Sequence, residues 1–447
     1  MARSFSLPAV ESPYAMTASI YTDDFKTEPY WHEAAPLRVL PAAAPPPRCD
    51  VAIIGSGYTG LSAALDLARA GRDVVVFEAN APGNGCSTRN GGMIGNLLKI
   101  SLKRLMEQYG HQAGIDMVRE AMDGLDYTVD LVRRENIDCR CEVVGKFKGS
   151  VHRGDYDKMA RELEFMRKEV SYEGEMVPRA EQHRIIDTDA YHGGRIEQSH
   201  GGLHPGLYHA GLLDRALAAG VTLLAHTSVE GLDEEADGVS VASSRSRTLA
   251  RHVIVATNGY TRRATPWVRR RLVPVGSYVI ATEPLDAGVM NRLLPGRHMI
   301  VDTRKMIYYF RPSPDGTRII FGARAAYSEV SDREGARRVH AKMASIFPEL
   351  ARAKITHAWH GFVAMTFDEL PHTGVRGRVH HACGYNGSGV APSTWLGHKT
   401  AMALLGNSER ASPFDELIFP TRAFYTGNPW PLPAVLAWYD LRSRLGV

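Results

Sequence analysis

Residues 50–60 read DVAIIGSGYTG and run directly into LSAALDLARAGRDVVVFEA, residues 61–79. Asp50 to Ile54 has the continuous apolar, β-branched character of a buried strand, and Leu61, Ala64, Leu65 and Ala68 recur at helical spacing. The glycines therefore fall on a strand-to-helix turn. Gly55 permits the tight turn, Gly57 lets a diphosphate approach the backbone, and Gly60 lets the helix lie close on the sheet. Ser56, Tyr58 and Thr59 lie between them, where the unpaired amides of a first helical turn face phosphate oxygens. A second strand, residues 73–77, ends at Glu78, 23 positions after Gly55, with Ala79 beside it. An acid there is placed to accept hydrogen bonds from a ribose and argues against a 2'-phosphate. Strand, glycines, helix, strand and acid form one βαβ unit, which makes a dinucleotide site the reading and leaves NAD or FAD to choose between.

The chain has 447 residues, enough for two domains' worth of core. Its 44% hydrophobic and 23% charged residues suit an ordinary α/β protein, and no run of apolar residues is long enough for a membrane span. Met1 to Val10 has no apolar core with a cleavage site, so a cytoplasmic location is expected. A net charge of +4 from 53 basic and 49 acidic residues is too diffuse for a nucleic-acid footprint. The one dense basic run, Arg269 to Arg271, reads as a solvated loop or as attraction for an acidic substrate or partner. Five cysteines make no disulfide scaffold. Cys139 and Cys141 read as free thiols on a strand. Neither His380, His381 and Cys383 nor His357 and His360 has the spacing of a metal site, so no metal is expected.

Residues 1–47 read as an extension ending in a proline-rich linker, with PYWH at 29–32 docking aromatics on the domain surface. A dinucleotide-binding domain is expected over 48–137, 199–262 and 373–410, a substrate domain over 138–198 and 263–372, and a tail over 411–447. Residues 102–134 read as helical, 139–151 as strand-like and 155–172 as a further helix. Residues 253–256 form another hydrophobic strand whose end, Thr257 to Tyr260, points at the cofactor, because ligands of open parallel sheets lie beyond the strands' carboxyl ends. From Ser277 the alternation is that of an antiparallel sheet, with a hairpin turn at Pro314 to Gly316. The glycine-rich stretch 384–389 then opens a last helix, a second N-terminus able to direct amides at an anion or an electron-rich ring.

Taken in order, GSGYTGLSAAL, CSTRNGG, GGLHP, ATNGYT, DTRKMIYYFRP, FVAMTFDELPH and GYNGSGVA resemble the FAD-dependent oxidoreductases of the D-amino-acid oxidase, glycine oxidase and sarcosine oxidase superfamily, in the branch that contains gamma-glutamylputrescine oxidase. The likeness covers about positions 29 to 440. It implies an α/β fold, a Rossmann-type FAD-binding domain with an inserted antiparallel-sheet substrate domain. It also implies that Gly55, Gly57 and Gly60 hold the diphosphate and Glu78 the adenosine ribose. Ser87, Thr88, Arg89, Asn90, Gly91, Gly92 and Met93 then form the loop against the diphosphate and isoalloxazine. Val229 meets the adenine, Thr257 and Asn258 lie beside the cofactor, and Gly387, Ser388, Gly389 and Val390 approach the pyrimidine end of the flavin.

The implied chemistry is amine oxidation, in which a hydride moves from the carbon bearing nitrogen to the flavin and the imine hydrolyses to a carbonyl. The flavin does the electronic work, and the protein supplies orientation, desolvation and charge. Candidate pocket residues are Tyr308, Tyr309, Arg311, His204, Trp359, Asp368 and His372. Only one of the adjacent tyrosines can face the pocket. Arg311 is placed to clamp a carboxylate, which separates a D-amino-acid or N-alkyl-amino-acid substrate from a polyamine type. Two departures from the sarcosine oxidases stand out. Residues 361–366 hold no cysteine, which implies noncovalent FAD, and the oxygen-activating lysine falls near Ile320, which leaves oxygen or another carrier as acceptor. The expected partner is a small-molecule amine, and a homo-oligomer is compatible with the sequence. An NAD-dependent dehydrogenase and a noncatalytic flavin-binding protein are the rival readings. The aromatic tail from Phe424 is expected to pack on its own domain rather than on a subunit or membrane.

Overall fold

The computed structural model describes residues 19–326, 328–407, 411–415, 417–429, 432–435 and 437–438. The expectations for Met1 to Val10 and for residues 439–447 lie outside the described residues. Two large sheets organise the chain.

The first has eight strands, centred on Arg48–Ile54, Val74–Phe77 and Thr222–Leu224, which pair in parallel. Val74, Val75, Val76 and Phe77 are all buried, as expected for parallel strands covered on both faces. Arg247–Val255 closes the other side of Arg48–Ile54, also in parallel. Its first half pairs with Gly238–Ser243 and its second half with Val379–Cys383, so the chain returns to this sheet twice. Helices Tyr58–Arg69, His111–Arg134 and Pro205–Ala218 cover one face, where Val51, Ile53, Leu61, Leu67, Leu212 and Val76 share a core.

The second sheet has nine strands and is mixed, not purely antiparallel as the alternation suggested. Tyr21–Lys26 joins Ile355–Met365 in parallel, and Met299–Asp302 joins Lys146–Gly149 in parallel. Val273–Thr282, Ile319–Ala323 and Tyr309–Pro312 form its antiparallel centre. One face packs Ile280, Phe310, Phe321 and Ala358 under helix Asp332–Ile346. The other face carries Trp31, Val279, Ile320 and Trp359 and lies against Arg89 and Asn90, whose carbonyls accept from the two indoles.

Three sequence expectations change. The extension is not a linker throughout, because Tyr21–Lys26 is an edge strand and Trp31 is fully buried, its indole donating to Asn90 O at 2.9 Å. The helical region 102–134 is two helices, Leu102–Tyr109 and His111–Arg134, broken where Gly110 takes φ +96°. In 139–151 only Lys146–Gly149 is a strand. Cys139 packs in the helical core and Arg140 turns with φ +52°, so the two thiols do not share a strand face. Both are free.

Trp31 fills space between the extension and the second sheet, so Trp31→Ala should cost about 3–5 kcal/mol in urea unfolding. A loss below about 1 kcal/mol would return PYWH to the surface role read from sequence.

Candidate active site

Two helices begin beside glycine turns and cross near the start of the first. Gly55, at φ +102°, turns the chain out of the first strand, and a Cβ on Gly60 would stand 2.0 Å from Gly55 O. Helix Tyr58–Arg69 therefore starts pressed against the strand end. A Cβ on Gly57 would meet Ser87 Oγ at 2.9 Å. That hydroxyl accepts from Tyr58 N at 3.1 Å and so occupies the mouth of the helix. The second helix, Val390–Leu404, crosses the first so closely that a Cβ on Gly397 would lie 2.4 Å from Thr59 O. Tyr385, just before it, shares a hydrogen bond of 2.7 Å with Thr59 Oγ1. Neither helix has an acidic residue in its first turn, so no carboxylate competes for the amides and the positive dipole ends.

Glu78 stands at the end of Val74–Phe77 and accepts from Ser56 N at 3.1 Å, Ser56 Oγ at 2.8 Å and Asn80 N at 2.9 Å. Half-buried Ala79 follows it. Thr227 N donates to Glu78 O at 2.7 Å, which brings Val229, the first residue of Val229–Glu235, to the same strand end. Buried His209 shares a 2.8 Å hydrogen bond with Ser56 O, a support that nothing in the local sequence announces. Thr257 and Asn258 follow Arg247–Val255. Asn258 Oδ1 accepts from Gly384 N at 2.9 Å, and Thr257 pairs with Thr261 at 2.8 Å. Asn386 accepts from Thr366 N at 2.9 Å and fixes the turn that presents Gly387, Ser388, Gly389 and Val390.

The loop 86–93 lies between the two sheets, and its carbonyls are held by buried donors. Trp359 Nε1 donates to Arg89 O and Trp31 Nε1 to Asn90 O, each at 2.9 Å. Arg311 Nη1 donates to Gly92 O and to Leu203 O at 2.9 Å each, and its Nε to Pro312 O at 3.0 Å. Burial pulls this guanidinium down to about 10, still cationic at neutral pH. The Arg89 side chain reaches Asn84 O at 2.9 Å and His360 O at 3.2 Å, and Thr88 Oγ1 contacts His32 at 3.0 Å. Asn90 folds back to accept from Gly92 N at 2.8 Å. Met93–Ile94 then pairs with Gly201–Gly202. Gly91 N has no acceptor among the described residues.

The tyrosines divide as the pleat requires. Tyr309 lies across Gly322, where a Cβ would meet its ring carbon at 2.0 Å, and reaches Ser277 Oγ at 3.0 Å. Its ring edge is 3.0 Å from a Cβ built on Gly91, so it sits under the loop. Burial pushes its hydroxyl up to about 12, so it stays a neutral donor. Tyr308 points to the other face, packing on Phe321 and taking a 3.4 Å hydrogen bond from Lys342, so its place in the pocket is withdrawn.

Three other candidates are engaged in structural contacts of their own. His204 caps helix Pro205–Ala218 by accepting from Leu207 N at 3.1 Å, and its ring meets Trp31 edge-on. Asp368 and His372 share a hydrogen bond of 3.0 Å, with the His372 ring stacked on Phe419 at 4.0 Å. Arg311 and Trp359 do border the site, but as donors to the loop. Ser277, Trp31 and His209 are not site residues that the sequence announces, because each reaches the site through a contact made only on folding.

Burial also pulls His204 down to about 4, as it does His32 and His380. A histidine neutral in the fold and protonated in the unfolded chain adds stability above about 6.5 that is lost as pH falls toward 4. Unfolding midpoints should therefore fall over that interval, and His204→Asn, a cap that does not titrate, should reduce the slope by about one proton. An unchanged slope would remove His204 from this set.

The glycine cradle, the two helix starts without an acidic residue in the first turn and the Gly91 amide without an acceptor among the described residues suit a dinucleotide flavin. The sequence profile of the family described as FAD dependent oxidoreductase (DAO) matches residues 50–403. The chain is 31% identical over 424 residues, 93% of it and 97% of the relative, to a probable oxidoreductase OrdL of Rhizobium meliloti. It is 30% identical over 408 residues, 89% of it and 94% of the relative, to gamma-glutamylputrescine oxidoreductase of Escherichia coli. The fold matches glycine oxidase from Geobacillus kaustophilus with a TM-score of 0.68 at 22% identity, covering 85% of this chain and 99% of that one. The chain belongs to the DAO family of FAD-dependent oxidoreductases, enzymes of CH–NH2 donors.

Proposed function

We propose that the chain oxidises a polyamine-type amine, gamma-glutamylputrescine or a close relative, with noncovalently bound FAD. The observation that carries the substrate class is Arg311. Its Nη1 donates to Gly92 O and Leu203 O and its Nε to Pro312 O, so neither edge of the guanidinium is free for the bidentate clamp an amino acid's carboxylate would take. The relative named gamma-glutamylputrescine oxidoreductase supports the same class.

When bound, FAD supplies the acceptor for the hydride leaving the carbon that bears nitrogen. The chain's own residues bind and orient. Helix Tyr58–Arg69 and the glycine turn would hold the diphosphate, Glu78 the ribose, and the start of Val390–Leu404 the electron-rich end of the ring. Trp31, Trp359 and Arg311 hold the loop carbonyls, and the Gly91 amide, without an acceptor among the described residues, would be available to the bound cofactor. Tyr309 and Ser277 provide a neutral polar floor under the substrate, and the surrounding low dielectric favours the neutral amine, the form that gives up hydride. The absence of cysteine from residues 361–366 supports noncovalent attachment.

Tyr309→Phe should retain full flavin content and lower kcat about tenfold, whereas Tyr308→Phe should leave turnover within about twofold. Equal effects of the two substitutions would remove Tyr309 from the site. The substrate class is tested by comparing kcat/KM for gamma-glutamylputrescine, other polyamines, D-amino acids and N-methyl amino acids, with carbonyl product measured directly. A preference for amino acids over every polyamine would overturn the assignment. Ile320 packs with Trp31 and Trp359 where the resemblance puts the oxygen-activating lysine, which supports an acceptor other than oxygen. Reoxidation by air should then be slower than by an artificial acceptor dye.

A further inference from the structure

The described part of the tail is anchored on the rest of the chain, but not with all of its apolar residues. Phe419 is buried between His372 and His381, Phe414 joins the helical core, and Tyr425 donates to Leu272 O at 2.8 Å. Between these anchors Ile418 is 90% exposed and Phe424 is 95% exposed. Phe424 also takes φ +62°, a left-handed conformation that an aromatic residue rarely adopts. It is held outward by its neighbours: Tyr425 is buried, and Gly427 lies against Arg269, where a Cβ would meet Cγ at 2.5 Å.

The ground around these residues is basic. Thr421 Oγ1 donates to Arg270 O at 2.6 Å and Arg271 Nε to Phe419 O at 2.9 Å, so the tail runs beside the 269–271 segment. Arg271 is stacked 3.9 Å over Trp267 with Arg376 5.9 Å from the same ring, and Arg422 sits 5.4 Å over Phe367. Arg270, Arg376 and Arg422 are exposed, and exposed Arg262 and Arg263 lie just upstream. None of these five has a carboxylate within ion-pair distance among the described residues, whereas about half of the other described arginines do. Asp415 is nearby but is spent on Ser412 N and Thr373 Oγ1. The run read from sequence as a solvated loop is thus part of an unneutralised cationic rim around two outward apolar side chains.

We propose that this face docks on an anionic phospholipid surface, with Phe424 and Ile418 entering the headgroup boundary and the arginines taking lipid phosphates. Exposed apolar tips within unpaired cations match that interface, where apolar burial and attraction to negative lipid act together. A solvated loop has no need of a strained, outward Phe424. The inference goes beyond the amine reading and stands whichever amine is oxidised.

Full-length protein is mixed with vesicles of phosphatidylcholine alone or with added phosphatidylglycerol, and the pelleted fraction is measured. Pelleting should require phosphatidylglycerol and should be largely released at about 0.5 M salt, where screening is confined to a few ångströms. Phe424→Ser, and separately Arg270→Glu with Arg422→Glu, should each weaken association about tenfold or more while flavin content stays unchanged. Pelleting that ignores phosphatidylglycerol, or that survives both sets of substitutions, would overturn the proposal. So would a dimer in solution that Phe424→Ser dissociates, because the face would then be covered by a second copy.

Discussion

Gly57→Val is expected to give a folded protein that purifies without flavin. The added Cβ meets only Ser87 Oγ, at 2.9 Å, and a serine hydroxyl can rotate away, so the fold tolerates it. A branched side chain over the amides of Tyr58–Arg69 then fills the space a diphosphate needs. Affinity for FAD should fall at least a hundredfold, equivalent to about 3 kcal/mol, read by titrating apoprotein with FAD. Gly60→Val is a different case, because its Cβ would stand 2.0 Å from Gly55 O, a backbone atom that cannot yield without moving the strand. That variant should fail to fold. Stoichiometric flavin in Gly57→Val would place the diphosphate elsewhere.

Arg311→Met is expected to cost about 3 kcal/mol of stability and to loosen flavin. The guanidinium donates to Gly92 O, Leu203 O and Pro312 O, all in the interior, and methionine leaves each short of a donor at about 1 kcal/mol or more apiece. Gly92 keeps one bond, from Leu203 N at 2.8 Å, so the loop should relax rather than collapse. Urea unfolding and FAD titration read the two effects. A clamp for an amino acid has another signature: stability unchanged and KM raised only for substrates whose carboxylate sits on the carbon that bears the reacting nitrogen.

How much of this was legible in the sequence depended on chain distance. The strand, glycine turn, helix and Glu78 form one local unit, and hydrophobic period with turn chemistry placed each of its residues. Val390–Leu404 could be located from its glycines, but not that it would cross Tyr58–Arg69 at Thr59, since no pattern links Gly397 to Thr59. The loop from Ser87 to Gly92 was found, whereas the three donors that hold it come from Trp31, Arg311 and Trp359, contacts made only after folding. The Tyr308 and Tyr309 ambiguity came from the pleat and was resolved by a gap, Gly322, that only strand pairing brings opposite Tyr309. Cys139 to Val151 misled because buried residues packing among helices can alternate by accident. Tyr21–Lys26 escaped notice because a short polar edge strand carries no clear period.

The most direct measurement is the anaerobic absorbance of the purified protein's flavin as gamma-glutamylputrescine, other polyamines, D-amino acids and N-methyl amino acids are added in turn. Expected is one FAD per chain, released intact by denaturation and bleached rapidly by a polyamine-type amine. Bound flavin that no amine reduces would contradict the amine chemistry, and protein that binds no flavin would contradict the cofactor assignment on which it rests.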